Sequence, residues 1–368
     1  VYRIIAVFLI SLIGLSPFAA QAMEYGKPQM REDEFYKEYW QQHLLFEDGT
    51  FLTSQFLVAN FPWPVGKDHG IMVATLVTPD GERKIIKNGR NPGEWGFDPE
   101  KFDIFIHNHR LKSDGGRHQI LLRADDGSEV TVAGASDLAP LVHPRFERDG
   151  GFMESSFYLP FFTGEGNWRI MPDEEGNAVR SGAGQAQGFA THVILNSRLP
   201  DMMESWLRVS GLQKADDQAT PFLSSIQRPD GKKDILLSLR KGDGQVAKFS
   251  DVRLKFRDMQ KEDKKSSFPR TIEVAARNDT AAVQQESLTG TIRLVRKIDH
   301  FNINDHLNFF EKGFAQSRAS VANYRYVAEY DLTYATPEGR FQLKGEALSE
   351  YADILPPKES KKKKRRRR

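Results

Sequence analysis

Apolar and polar positions alternate along most of the chain, and the alternation is broken at short intervals by turn residues. "FLTSQFLVANF" and "HGIMVATLVTPDGERKIIKNG" are β-branched and aromatic runs, the second interrupted by Pro79-Asp80-Gly81. "QILLRADDGSEVTVAGA" repeats the design with Asp126-Gly127 at its tip. Beyond residue 165 the same grammar continues through "GFATHVILN", "RTIEVAAR", "SLTGTIRLVRKI" and "YRYVAEYDLTYATPEGRFQLKGEAL". Short strands spaced by about ten residues indicate antiparallel sheets closed as sandwiches or barrels.

Helical periodicity is confined to two segments. "REDEFYKEYWQQH" (31–43) sets Phe35, Tyr36, Tyr39 and Trp40 on one helical face behind an acidic first turn. "INDHLNFFEKGFAQSR" (303–318) does so with Leu307, Phe310 and Phe314. Turn residues cluster at 163–178, which places a domain boundary there. "QKEDKKSSFP" (260–269) reads as a charged hairpin loop within the second half. No short-period repeat indicates a solenoid or propeller.

Both ends of the chain are set apart by composition. Arg3, the apolar run Ile4–Leu15 and Ala20-Gln21-Ala22 form the pattern of a signal peptide over residues 1–22, with a soluble, cysteine-free product expected in the periplasm or secreted. The last residues, "KKKKRRRR", hold eight of the 52 Lys and Arg. Without them and Arg3, 43 basic residues face 50 acidic ones, so the body carries about −7 and is no nucleic-acid surface. Residues 358–368 read as a disordered, self-repelling tail, with weak contact to an anionic membrane surface as the alternative.

Three stretches together resemble a known family. "LLFEDGTFLTSQFLVANFPW" is a strand, an Asp-Gly turn and a long strand ending in Asn60 and Trp63. "FMESSFYLPFFTGEGNWRI" is an aromatic strand leading into a polar turn. "GQAQGFATHVILNSRLPDMMESWLRV" has glycines before a strand carrying His192, then a Pro turn and Trp206. In this order they resemble the Svf1-like/AttH-like family, to which carotenoid 1,2-hydratases are distantly related. The resemblance covers most of residues 40–355. It implies an all-β fold of two tandem lipocalin-like antiparallel β-barrels with a few short helices, at 23–165 and 166–357. It also implies a hydrophobic small molecule or lipid as ligand, enclosed by the second barrel.

The candidate chemistry is sparse. His107, His109 and His118 lie within twelve positions, and a hairpin could gather three imidazoles around a metal. The preferred reading places His107 and His109 on a solvated strand face and assigns no metal and no cofactor. His192 sits on an apolar strand with Asn196, Trp206 and Arg208 following. A neutral imidazole there could protonate an alkene or hold a ligand oxygen. Arg208 could meet a carboxylate or phosphate, and Trp63, Trp168 and Trp206 could line a cavity or a seam between barrels. A Gly-x-Ser-x-Gly elbow, a P-loop and a dinucleotide fingerprint are all missing from the sequence. The leading expectation is therefore a carrier for an elongated apolar molecule. The alternative is a cofactor-independent hydratase, isomerase or cyclase acting on an isoprenoid-like substrate.

Overall fold

A computed structural model describes residues 24–355, apart from 62–65, 91–92, 99, 115–116, 173–177, 214–218, 243, 262–265, 279–285 and 303–319. The expected signal peptide, Trp63, the 303–318 helix and the basic tail lie outside the described residues.

The described chain forms two curled antiparallel sheets, each the wall of a lipocalin-like barrel. The first begins with β1 (Lys37–Phe46), β2 (Phe51–Phe61), β3 (Gly66–Val77), β4 (Arg83–Arg90), β5 (Trp95–Asp98) and β6 (Asp103–Ile106). It continues with β7 (His109–Asp114), β8 (Arg117–Arg123), β9 (Glu129–Ala135), β10 (Leu141–Val142), β11 (Phe146–Arg148), β12 (Gly151–Ile170) and β13 (Arg180–Leu195). Its order is β4-β3-β2-β1-β13-β12-β9-β8-β7-β6-β5. A four-residue helix, α1 (Leu199–Met202), then leads into the second sheet.

That sheet holds β14 (Ser205–Gly211), β15 (Ala219–Gln227), β16 (Lys233–Lys241), β17 (Val246–Lys248) and β18 (Asp251–Lys261). It is completed by β19 (Ser267–Asn278), β20 (Glu286–Asn302), β21 (Ser320–Thr336) and β22 (Gly339–Leu355). Its order is β17-β16-β15-β14-β22-β21-β20-β19-β18. The segment 260–269 does join a hairpin, with Lys261 opposite Ser267.

Three sequence expectations are corrected. Residues 37–46 are strand, not helix. In β1 the apparent helical face splits by the strand period of two: Tyr36, Trp40 and Leu44 enter the first barrel or its mouth, while Tyr39 enters the contact between sheets. A strand buried on both faces loses its polar alternation, so its aromatics also fit a helical spacing. Tertiary pairing on both sides, with β2 and β13, decides the matter.

The turn region 163–178 is not a domain boundary. β12 and β13 pair from Met153↔Leu195 to Ile170↔Arg180, and β13 also pairs with β1. Residues 180–195 thus belong to the first sheet, and the chain changes sheets at 196–204. Gly188 permits this pairing, because a Cβ there would lie 1.8 Å from the His43 carbonyl oxygen. The hairpin returns the chain to its starting strand, which brackets the first barrel.

The extent of the second barrel is the third correction. Leu223, Leu239, Ile272, Leu288, Tyr324, Tyr330 and their neighbours form one continuous buried cluster there. The second barrel expected at 166–357 thus begins later than expected, because residues 166–170 and 180–195 pair within the first sheet. Between the sheets lies a seam with two apolar ends. Tyr39, Val193, Met202, Trp206 and Ile354 form one, and Phe157, Phe161, Phe189, Phe222 and Leu348 form the other.

Candidate functional site

The mouth of the first barrel gathers a set of polar side chains on one strand face. Tyr36, Glu38, Trp40 and Gln42 alternate inward from β1 and the residue before it, and His192 lies directly opposite Trp40 on β13. Their rings stack with centroids 4.8 Å apart and planes 9° apart. His192 Nε2 is 2.8 Å from Glu38 Oε1, and His192 Nδ1 is 2.6 Å from the Tyr25 carbonyl oxygen. Tyr36 donates its hydroxyl to Glu38 Oε2 at 2.5 Å.

Glu38 is fully buried, and burial by itself would raise its carboxyl. The hydrogen bond and charge of His192, the Tyr36 hydroxyl and the Met30 amide outweigh that, so Glu38 stays below its ordinary value. With Glu38 ionised, both His192 nitrogens face oxygen acceptors, an arrangement that an imidazolium satisfies.

One layer deeper, Ser54 donates to Gln42 Oε1 at 2.6 Å and Gln42 Nε2 donates to the Tyr158 oxygen at 3.1 Å. Tyr158 is also 3.2 Å from His118 Nε2. Burial pushes the Tyr158 hydroxyl up and the His118 imidazole down to about 3, so both stay neutral near pH 7. Tyr158 reaches the interior because β12 shifts register between Ser156 and Phe162, around Pro160. Proline cannot donate to the ladder and so favours such an irregularity.

The barrel mouth is filled by the chain's own residues 24–30. Trp40 Nε1 donates to the Gly26 carbonyl at 2.6 Å, while the Gln29 and Met30 amides donate to Glu38 at 2.9 and 3.1 Å. Asn60 anchors the following turn through the Arg31 and Asp33 carbonyls.

A second charged cluster sits midway along the seam. Glu350 on β22 accepts from Trp206 Nε1 at 2.9 Å and Arg208 at 3.0 Å, with His43 Nε2 at 3.4 Å and Arg325 Nε at 3.6 Å. Arg208 also donates to Gln41 on the first sheet at 2.7 Å, and Arg325 to Asp299 at 2.7 Å. Burial would raise Glu350, but His43, Arg208, Arg325 and the Trp206 hydrogen bond hold it down at about 2. Burial holds His43 at about 3, so at neutral pH the compensating charge comes from the two arginines.

The structure distributes the site residues expected from sequence. His192 faces the interior of the first barrel rather than the second. Asn196 lies on the rim, where its side-chain oxygen accepts the Phe152 amide at 2.7 Å. Trp206 and Arg208 point out of the second barrel into the seam. Trp168 is a core residue of the first barrel opposite Gly182, ten ladder positions from His192. At about 3.3 Å per residue, that separates them by roughly 30 Å.

The three clustered histidines also part. His107 occupies a β6–β7 turn with φ +54°, His109 is buried and accepts the Arg123 amide, and His118 faces the barrel interior. The expectation of a solvated face for His109 is therefore corrected, because β7 turns that residue inward. Among the described residues no three His, Asp or Glu side chains converge as metal ligands.

Sequence reading missed Tyr36, Glu38, Trp40, Gln42 and Tyr158. A period of two across 36–46 was the available signal, since it places all the β1 members on one face.

No protein-family model matches the chain, and no curated protein matches it. Solved structures do. CghA matches at TM-score 0.59 and 11% identity over 91% of this chain and 95% of that one, and its structure with Sch210972 at 0.57 and 11% over 90% and 94%. A protein described as AttH from Nitrosomonas europaea matches at TM-score 0.53 and 13% identity, covering 87% and 92%. Kievitone hydratase from Nectria haematococca matches at 0.50 and 7%, covering 90% and 91%. The chain has the tandem lipocalin-like fold of AttH-like proteins.

Proposed function

We propose that the protein is a cofactor-independent enzyme that performs acid–base chemistry on a carbon–carbon double bond of a hydrophobic substrate. Hydration, isomerisation and cyclisation all belong to that class. The observation that carries this reading is the Tyr36–Glu38–His192 chain, buried at the mouth of the first barrel above a second polar layer. A plain core gains nothing from enclosing a carboxylate and an imidazole that must compensate each other.

The chemistry follows from the geometry. His192 Nδ1–H points to the seat now held by the Tyr25 carbonyl, so it can protonate an alkene carbon placed there. Glu38 holds the opposite ring nitrogen and stabilises the imidazolium before transfer. In a hydration, water adds to the resulting cation and returns its surplus proton to Nδ1. In an isomerisation, the proton returns from an adjacent carbon instead. Trp40 would shield a developing cation with its ring face. That one of the similar structures is a hydratase supports an enzymatic reading over the carrier.

Incubation of the purified protein with an isoprenoid extract, in water enriched in a heavy oxygen isotope, tests this. A product with new oxygen or a moved double bond is expected, lost in His192→Gln. Unchanged substrate in all samples, together with a co-purified lipid, would return the reading to a carrier. Export to the periplasm or medium, with a soluble acidic body, is part of the same proposal.

A further inference from the structure

The geometry points to residues 24–30 as an internal stand-in for the substrate's polar end, and that end as a planar amide or paired carbonyl group. This rests on the reading of the first barrel's mouth as the substrate seat. The segment is recognised by its backbone. Two stacked rings, Trp40 and His192, donate to the consecutive carbonyls of Gly26 and Tyr25, both at 2.6 Å. One carboxylate, Glu38, accepts from the consecutive amides of Gln29 and Met30. The side chains are largely left out: Tyr25 is 44% exposed, and Lys27 pairs with Glu24 near the surface.

Gly26 is pressed inward, where a Cβ would meet the Phe102 ring at 2.3 Å, and the Met30 side chain packs against the barrel core beside it. At Gly26 the seat is therefore shaped for a flat peptide-like unit without a side chain. Its polar walls are two donors and one acceptor, and its floor is aromatic. Phe102 contacts Trp40, His118 and Tyr158, with ring centroids 6.4, 5.2 and 5.3 Å away, so an apolar tail attached to such a head would run down an aromatic wall.

A ligand of this class must displace the segment, so its apparent affinity is lowered by the fraction of molecules whose seat is free. A substitution that crowds the segment out of the seat while leaving its hydrogen-bonding groups in place is Gly26→Val. The probe is N-octanoylglycinamide, with 1-octanol as the control lacking an amide. In the full chain, Gly26→Val should speed hydrogen exchange of residues 24–30 and tighten probe binding by about tenfold or more, with octanol little changed. A Trp40→Phe change in that background should remove most of the gain.

The unmodified protein supplies a second measurement that needs no variant. By reciprocity, saturating probe should raise exchange at residues 24–30. Faster exchange in the variant with no gain in probe affinity would overturn the inference, as would probe binding to the unmodified chain without release of the segment. Displacement by the probe with no turnover of any alkene substrate leaves this inference standing and removes the enzymatic reading.

Discussion

His192 and Trp40 stack face to face across the β1–β13 ladder at 4.8 Å, and both direct an N–H toward the same stretch of backbone. Two aromatic donors on neighbouring strands act as one surface, because cross-strand partners stand side by side on one face. Glu38, two residues before Trp40, completes that surface with the opposite hydrogen-bonding sense.

Removing one donor from Glu38 should change its titration without dismantling the pair. Tyr36→Phe takes away a hydrogen bond to the carboxylate, so the Glu38 pKa should rise. Since a depressed carboxylate stabilises the fold above its unfolded pKa, part of that contribution is lost, at about 1.5–3 kcal/mol for a bond to a charged group. A pH–rate profile should show the acidic limb moving to higher pH. An unmoved limb would separate Glu38 from the reaction.

His192→Gln and Glu38→Gln should each lower turnover by about 10²–10⁴-fold, the usual worth of a positioned acid or base. Comparing that loss with the change in denaturation midpoint separates chemistry from folding. Equal midpoints with equal turnover would remove both residues from the site.

In the seam, Glu350→Gln leaves Arg208 and Arg325 without their shared carboxylate and should cost about 3–5 kcal/mol. Adding Arg208→Met should recover part of this, since fewer buried charges then lack a partner. Urea denaturation of the four members of the cycle measures the coupling. Additive losses would show that Glu350 and Arg208 act separately.

Acid should unfold the protein through its buried imidazoles. Burial holds His43, His118 and His143 at about 3 in the folded state, while the unfolded chain binds protons near 6.5. Their contribution is complete above pH 6.5 and is lost as pH falls toward 3. Each should remove roughly 1.4 kcal/mol per pH unit in that window. Urea midpoints between pH 7.5 and 5 should fall steeply, and less so in His118→Phe.

Gly188→Ala should be severely destabilising, because the new methyl meets the His43 carbonyl. Gly89→Ala on β4 meets nothing within 4 Å and should stay within about 0.5 kcal/mol. Thermal melts of the two variants check the contrast.

The sequence by itself determined the strand-rich architecture, since period-two alternation and Asp-Gly turns are local signals. It placed the Asp80-Gly81 and Asp126-Gly127 turns, where Gly81 and Gly127 take φ of +90° and +86°. It also marked His192 as unusual, as an imidazole within an apolar run. The partners of His192 were another matter. Glu38 and Trp40 lie more than 150 positions away and were masked by an aromatic pattern that fits a helix equally well. Only the closure of β13 back onto β1 turned that pattern into two buried faces and brought the pair together. The same long-range pairing moved His192 out of the second barrel and sent Arg208 into the seam. A strand's neighbours are chosen by the whole sheet, and no short stretch of sequence encodes which faces they will bury.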